Sequence, residues 1–417
     1  MEYQEICVHL KDKFFTTYVL FYALGTVTLV PFNFFTTATD YWMYKFRDPE
    51  SNLSYSTENR TGLQAEFTAD YTIVSNVSNA VFIILTILWV RRLTILARTI
   101  MALCGTIAIF VCTCIFVKLD TDSWKTGFMV VTLLTGFFLT GFCGIFLVTL
   151  FEMAPKFPPS YLAVIFSGQA ICGILSAFAQ IVSFSVDADP AVNGLVYFLS
   201  DLSFVVLTLV GFSWSLRTSH FFKHHFWKEI AAEKFEVSKE KILTILHKVK
   251  FYLLAMTITC GSTIMVQPSV TSLVLSVDKN NGNNWNDVYF APVITFLVYC
   301  TSDYFGREFA MLLKKPSQGL VLLSAACVRV VFVPLLMLCN AQPRDHLPVV
   351  FDEDYAYIIF IIIFASTNGF LMNLCIIRVS HIPTDDEKPL AMFFIMIFII
   401  VSSMICAFVG NGLVQAL

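Results

Sequence analysis

The strongest constraint on the fold is a series of long apolar segments that recurs through almost the whole chain. A membrane-spanning helix needs about 20 predominantly apolar residues, and about eleven segments of this chain approach or exceed that length. Because backbone groups in lipid must be hydrogen-bonded within their own segment, each one is predicted to be an α-helix. The predicted spans are Phe15–Thr37, Tyr71–Val90, Ile95–Val117, Gly127–Leu150, Tyr161–Val186, Val192–Trp214, Phe251–Ser276, Val288–Leu312, Leu320–Leu338, Tyr355–Ile377 and Leu390–Leu413. The sequence therefore predicts an all-α, polytopic membrane protein.

The composition supports this fold class. Charged residues make up 14% of the chain and hydrophobic residues 57%, whereas a soluble domain carries about 25% charged residues. A larger core does not account for the low share of charged residues, because a longer soluble chain also has a larger surface that must be polar enough to contact water. The lipid bilayer is therefore an expected partner. The net charge of -3 gives no indication of a nucleic-acid partner.

The sequence contains few motifs for metal binding, phosphate binding or catalysis. The 12 Cys residues lie mainly in apolar segments and predict neither a zinc site nor a disulfide framework. The sequence has no phosphate-binding loop of the Walker type, so it gives no indication of ATP-driven pumping. No paired nucleophile and base stands out in it. We therefore expect no enzyme activity and no cofactor.

The positions of the positive charges predict an orientation. Most of the 27 Lys and Arg residues lie in alternate loops on the same side as the N-terminus. Positive loops stay in the cytosol, so the N-terminus is expected to be cytosolic. The first loop on the opposite side carries two acceptor patterns for N-glycosylation, at Asn52 and Asn59. Both are predicted glycosylation sites.

The connection formed by residues 217–250 is expected to be a cytosolic linker loop. It separates a predicted N-terminal six-helix bundle, residues 1–216, from a C-terminal five-helix bundle, residues 251–417. Two bundles joined by an inner loop are typical of transporters. Apolar side chains occur among its Lys and Glu residues, so two interpretations stay open: an amphipathic helix at the membrane surface and a solvated helical linker.

Ionisable residues inside apolar segments mark candidate functional positions, because they are costly to hold in lipid. Asp303 and Arg307 are four residues apart, so they share one helix face and can pair. The same spacing fits a helix-end ion pair in which Arg307 extends toward water. Arg329 either binds substrate or anchors the bundle through backbone carbonyls.

Neutral amides form another set of candidates. They suit recognition of a polar, uncharged solute, and they equally suit hydrogen bonds between helices. Two prolines, Pro31 and Pro268, are expected to break their helices. The amides are Asn33, Asn76, Asn79, Gln169, Gln267, Asn368 and Asn373. Together these features predict a solute transporter with its substrate path through the helix bundle.

Several stretches, in chain order, resemble the equilibrative nucleoside transporter family. They are Ala23–Thr26 with Leu29–Phe35, Ser160–Tyr161 with Ser167–Gln169, Asp303–Arg307, Arg329–Pro334 and Ser366–Leu371. Two further stretches, Val117–Trp124 and Leu338–Arg344, resemble the lysosomal branch. The resemblance implies a cytosolic N-terminus, a 6+5 bundle like that of the major facilitators, and facilitative passage of nucleosides by alternating access.

The resemblance also implies which residues bind substrate. Arg307 would contact the ribose hydroxyls, with Asp303 orienting it. Leu29 and Phe32 would line the central cavity near the base, together with Phe296.

Asn33 lies in the first-helix motif and is included as a candidate ligand. Phe32 stands where the family usually has Trp, and Asn76 where it often has Met. Phe32 can still stack on a base, and Asn76 can supply a hydrogen bond. Gly168 and Gly173 would serve helix packing.

Other functions and locations stay open. One alternative is a facilitator of another polar solute, such as nucleobases or organic cations. A second is a membrane receptor or scaffold without transport. Residues 1–13 lack the acidic dileucine signal usual in the lysosomal branch. The plasma membrane and the lysosomal or endosomal membrane are therefore both expected locations, and the oligomeric state is not predicted.

Overall fold

The fold is described here from a computed structural model that covers residues 12, 15–47, 62–89, 92–185, 189–227, 239–279, 281–313, 318–342, 346–384 and 387–417. This part of the chain is almost entirely helical. Its α-helices are α1 (Thr16–Val27), α2 (Val30–Thr37), α3 (Thr39–Lys45), α4 (Gly62–Trp89), α5 (Ile95–Val117), α6 (Lys125–Met153), α7 (Pro159–Ser185), α8 (Pro190–Thr218), α9 (His220–Phe226), α10 (Lys239–Val266), α11 (Tyr299–Leu312), α12 (Gly319–Arg329), α13 (Phe332–Met337), α14 (Asp354–His381) and α15 (Lys388–Gln415). Two π-helical segments, Trp285–Tyr289 and Ala291–Val298, precede α11.

Nine helices of the described chain are long and apolar enough to cross a membrane. The predicted all-α, polytopic fold is therefore confirmed. Two of the predicted spans fall outside this set, although both are helical. In α4 only Ile73–Thr86 forms an apolar stretch. The eighth span is divided between the π-helical segments and α11, which carries Asp303, Arg307 and Glu308.

Both prolines lie at helix breaks, as predicted. α1 ends at Val27, and α2 begins at Val30 with Pro31 in its first turn. α10 ends at Val266, directly before Gln267 and Pro268. Proline lacks a backbone N–H and clashes with the preceding helical turn, so a continuous helix is disfavoured at both positions.

The connection at residues 217–250 is more helical than a loop. α8 continues to Thr218, α9 follows at once, and α10 begins at Lys239 instead of at Phe251. Hydropathy cannot detect this early start because its first turns are rich in Lys. Ile245 is buried and Trp227 is exposed. Residues 228–238 lie outside the described chain, so both interpretations of the linker stay open.

The chain forms two compact units. Unit 1 contains Met1–Met153 and Val182–Lys223, and unit 2 contains Ala154–Ile181 and His224–Leu417. Most of α7 thus groups with the C-terminal helices. The division into residues 1–216, 217–250 and 251–417 stays a prediction.

Unit 1 has an aromatic core. The rings of Phe35 and Tyr71 stack with centroids 4.8 Å apart, and Trp42 lies 4.7 Å from Phe35 and 5.0 Å from Phe67. The Trp42 indole donates to the carbonyl of Phe35 at 2.7 Å, which satisfies its buried N–H. This cluster fixes α2 and α3 against α4.

Unit 2 has a separate apolar core, to which α10, α13 and α14 contribute buried side chains such as Val266, Leu336 and Phe364. Two isolated β-bridges, Val274 with Ala341 and Cys339 with Phe351, join the connections next to this core. Polar side chains occur among these helices, and they form the candidate site.

Candidate functional site

Asp303 and Arg307 form an ion pair on α11. Nε of Arg307 lies 2.8 Å from Oδ2 of Asp303, and their side chains are 13% and 7% exposed. The four-residue spacing places both on one helix face, as the sequence predicts. The pairing lowers the cost of holding two charges in an apolar bundle.

Three neighbouring groups hold this ion pair. Asn368 on α14 donates to the second carboxylate oxygen of Asp303 at 2.6 Å. Nη1 of Arg307 donates to the carbonyl of Phe166 on α7 at 2.7 Å. Asn373 donates to the backbone carbonyl of Arg307 at 3.0 Å. Nη2 of Arg307 has no hydrogen-bond partner among the described residues.

The crossing of α11 and α14 is unusually close. A Cβ atom on Gly306 would lie 2.1 Å from the carbonyl oxygen of Ser366, so no larger residue fits there without moving the backbone. The close crossing brings Asn368 within hydrogen-bond distance of Asp303. Small residues allow this kind of approach between membrane helices.

Arg329 is buried at the end of α12 and is bonded to α10 and α14. Nη1 donates to the carbonyl of Thr259 at 3.0 Å and to the hydroxyl of Ser262. Nη2 donates to the Thr263 hydroxyl at 2.9 Å and to the carbonyl of Phe364 at 3.1 Å. The guanidinium also lies 3.9 Å from the centre of the Phe364 ring, a cation–π contact. These contacts favour the anchoring interpretation of Arg329.

The candidates of the first helix lie in unit 1, at the break between α1 and α2. Leu29 precedes α2, and its carbonyl accepts a hydrogen bond from the backbone N–H of Asn33 at 2.9 Å. Phe32 is half-buried and stacks on Tyr71 with centroids 5.9 Å apart and an interplanar angle of 23°. Leu29, Phe32 and Asn33 are neighbours in the fold because they lie together at the helix break and in the short helix α2.

The other candidates are placed less fully. Phe296 is half-buried in the second π-helical segment of unit 2. Asn76 lies on α4, and its side chain is outside the described part. The predicted glycosylation sites Asn52 and Asn59 also lie outside the described residues. The roles of Phe296 and Asn76 in substrate binding, and of Asn52 and Asn59 as glycosylation sites, stay predictions.

Thr263 is a member of this site that no sequence pattern indicated. Its hydroxyl lies 2.7 Å from Oδ1 of Asn368 and 2.9 Å from the carbonyl of Thr259, four residues earlier on the same helix. Thr residues in apolar helices commonly bond to that i−4 carbonyl. Nothing in the local sequence therefore distinguishes Thr263 from Thr257, which bonds to Leu253 in the same way.

Solved structures of known proteins define the class of this fold. The proton:xylose symporter of the major facilitator superfamily matches with a TM-score of 0.60 and 10% identity, over 94% of this chain and 87% of that one. The fucose:proton symporter of Escherichia coli matches with a TM-score of 0.59 and 11% identity, over 95% and 92%. The protein is thus a polytopic membrane protein with the major facilitator fold.

Sequence comparison defines the family within that class. The nucleoside transporter family model matches residues 139–244 and 229–409. Equilibrative nucleoside transporter 3 of Rattus norvegicus is 26% identical, with 87% of this chain and 81% of the relative covered. Equilibrative nucleoside transporter 1 of Homo sapiens is 28% identical, with 88% and 89% covered. The chain belongs to the nucleoside transporter family.

Proposed function

We propose that the protein is an equilibrative nucleoside transporter that works by alternating access, and that Arg307 binds the ribose hydroxyls. The relatives named above are equilibrative nucleoside transporters, which supports the substrate class. The observation that carries the role of Arg307 is its incomplete set of hydrogen bonds.

The guanidinium is fixed on two sides and open on the third. Nε donates to Asp303 and Nη1 donates to Phe166, whereas Nη2 has no partner among the described residues. A guanidinium only donates hydrogen bonds, and a ribose hydroxyl can accept one. Nη2 is therefore a suitable donor for a sugar hydroxyl.

The charge of the pair fits a neutral solute. Asp303 balances Arg307 at 2.8 Å, so the site carries little net charge. An unpaired Arg would favour an anion such as a nucleotide, and an unpaired Asp would favour an organic cation. A balanced pair supports recognition of an uncharged nucleoside.

Orientation, location and the remaining ligands belong to the same proposal. The N-terminus is cytosolic, and Asn52 and Asn59 carry glycans on the opposite side. The protein resides in the plasma membrane or in a lysosomal or endosomal membrane. Further substrate contacts come from Leu29, Phe32, Asn33, Asn76 and Phe296.

Flux through proteoliposomes tests the function. The purified protein should carry radiolabelled uridine into vesicles without ATP or an ion gradient, and net flux should stop when the two concentrations are equal. Radiolabelled uracil and radiolabelled tetraethylammonium, tested in the same vesicles, distinguish a nucleobase or organic-cation carrier. Uptake of either in place of uridine would refute the assigned substrate class.

Arg307→Lys tests the ribose contact. Lysine keeps the charge but has no planar group that can bond to Asp303, Phe166 and a sugar at once. Uridine uptake per molecule should fall at least about tenfold, as expected when a charged hydrogen bond is lost. Arg92→Lys, the same change at an exposed position, should leave uptake unchanged. Equal uptake by the Arg307→Lys variant would remove Arg307 from the binding site.

A further inference from the structure

An unbroken line of hydrogen bonds joins Arg329 to Arg307 across four helices of unit 2. Nη2 of Arg329 lies 2.9 Å from the Thr263 hydroxyl, which lies 2.7 Å from Oδ1 of Asn368. The amide nitrogen of Asn368 lies 2.6 Å from Asp303, and Asp303 lies 2.8 Å from Arg307. The two guanidinium groups therefore lie at opposite ends of one relay.

The chemistry of the groups gives this relay a direction. Arg329 can only donate, so the Thr263 oxygen accepts from it and the Thr263 proton is available to Asn368. Oδ1 of Asn368 accepts this hydrogen bond from Thr263, so the NH2 group of Asn368 faces Asp303. An ionised Asp303 only accepts, and it receives one bond from Asn368 and one from Arg307.

The alternative acceptor for Thr263 is already in use. The Thr259 carbonyl lies 2.9 Å from the Thr263 hydroxyl, but it accepts from Nη1 of Arg329 at 3.0 Å and lies 3.0 Å from the Ser262 hydroxyl. Donation to Asn368 therefore satisfies more of the buried groups. Arg329, Asn368 and Asp303 are all buried, so water cannot replace a lost hydrogen bond at these residues.

We propose that Arg329 is a positioning residue for substrate recognition, acting on Arg307 through Thr263, Asn368 and Asp303. The inference rests on the proposed function. The relay fixes the Asn368 amide, the amide fixes the Asp303 carboxylate, and the carboxylate holds the Arg307 guanidinium through Nε, which leaves Nη2 as the donor for the sugar. When the relay is broken, Arg307 remains present but its donor is no longer held in one direction.

Two substitutions at Thr263 separate this role from packing. Thr263→Val removes the hydroxyl and keeps the branched shape, whereas Thr263→Ser keeps the hydroxyl and removes a methyl group. The test is a comparison in proteoliposomes of KM and the maximal rate for uridine and for 2′,3′-dideoxyuridine, which lacks the 2′ and 3′ hydroxyls and keeps the 5′ hydroxyl. The ratio of the two KM values within one variant does not depend on the amount of folded protein.

The wild type should prefer uridine, and Thr263→Val should raise its KM for uridine about fivefold, as expected for one lost hydrogen bond. The KM for 2′,3′-dideoxyuridine and both maximal rates should stay within about twofold of wild type. Thr263→Ser should retain the wild-type ratio. Thr257→Val is the matched control, because Thr257 lies on the same helix and its hydroxyl, among the described residues, bonds only to Leu253 of its own helix.

A double-mutant cycle gives an independent measurement. Arg329→Lys keeps the charge but cannot bond to all four of its partners at once. If Arg329 acts through Thr263, the effects of Arg329→Lys and Thr263→Val on the logarithm of the KM ratio should not be additive. Independent packing roles should give additive effects.

The outcomes are distinct. Loss of preference in Thr263→Ser and Thr263→Val alike, or an unchanged ratio in Thr263→Val, would overturn the relay while transport stands. A wild type that carries both compounds equally well would overturn the contact with the 2′ and 3′ hydroxyls, and with it the relay. A wild type that carries neither would overturn the proposed function itself.

Discussion

The backbone carbonyl of Asp303 lies so close to Gly369 that a Cβ atom on Gly369 would come within 1.9 Å of its oxygen. The obstacle is backbone, which cannot move aside as a flexible side chain can. α11 and α14 would have to separate to admit even a methyl group. The hydrogen bond between Asp303 and Asn368, the residue before Gly369, depends on this contact.

Gly369→Ala should therefore destabilise the protein by about 1–3 kcal/mol, the usual cost of overpacking. Thermal unfolding in detergent, followed by size-exclusion chromatography, measures the loss. Gly412→Ala is the matched control, because Gly412 is also helical and has nothing within 4 Å of the added Cβ. Equal melting temperatures for the two variants would show that the helices can separate at little cost.

Asp303→Asn should abolish most uptake, although it only replaces one carboxylate oxygen by an NH2 group. Both carboxylate oxygens accept a hydrogen bond, one from Asn368 and one from Arg307. An amide at this position must turn its own NH2 toward one of these donors. We expect uridine uptake to fall at least about tenfold, because the amide would leave a buried hydrogen-bond donor without an acceptor. Asp278→Asn, on an exposed carboxylate, should transport normally, and normal uptake by Asp303→Asn would contradict this account.

Glu387 should make folding stability depend on pH. Lys248 Nζ lies 2.8 Å from Glu387, and the hydrogen bond from Lys248 lowers the pKa of this carboxyl below its ordinary value of 4.5. A lowered pKa means that the stabilisation is present above pH 4.5 and is lost as the pH falls through the folded-state value. The effect should be about 1 kcal/mol or less, because Lys248 is 37% exposed.

Melting temperatures measured between neutral and acidic pH test this expectation. The drop below pH 4.5 should be smaller in Glu387→Gln than in the wild type. Asp352→Asn removes an exposed carboxylate and should keep the wild-type profile. Identical profiles for wild type and Glu387→Gln would show that the ion pair does not contribute.

Glu152→Ala should destabilise unit 1. Arg98 is almost fully buried, and its Nη2 lies 2.6 Å from Glu152. Nε and Nη1 of Arg98 have no hydrogen-bond partner among the described residues. The ion pair with Glu152 is therefore the main interaction, within the described chain, that offsets the cost of burying the Arg98 charge. The cost should be about 1–3 kcal/mol in thermal unfolding.

The double variant Arg98→Met with Glu152→Leu should recover much of that stability, because two apolar residues leave no buried charge unpaired. A double variant less stable than Glu152→Ala would show that Arg98 has a further role.

Hydropathy and spacing predict much of this fold. The third predicted span, Ile95–Val117, has the observed bounds because apolar residues fill it, and the structure adds that Thr94 caps its start. The pairing of Asp303 with Arg307 follows from the helical repeat alone. Hydropathy does not locate the start of α10 at Lys239, because the first turns of this helix are rich in Lys. The apolar side chains among those Lys residues indicate a helical linker but not its bounds.

The partners of the ion pair could not be predicted from spacing. Thr263 and Asn368 are far apart in the sequence and meet only because α10 and α14 pack together. Gly306 and Gly369 lie within motifs that the sequence highlighted, but their role depends on a helix crossing that no local pattern specifies. Long-range packing, not local propensity, assembles this part of the site.

Three of the acceptors around Arg307 and Arg329 are peptide carbonyls, at Phe166, Thr259 and Phe364. Every amino acid supplies this oxygen, so it survives any substitution that preserves the helix. Evolution can therefore exchange the side chains at these positions while the three carbonyl acceptors remain. Alanine scanning would overlook it for the same reason, and amide-to-ester replacement in the backbone, which weakens the carbonyl as an acceptor, is the chemical route by which it can be probed.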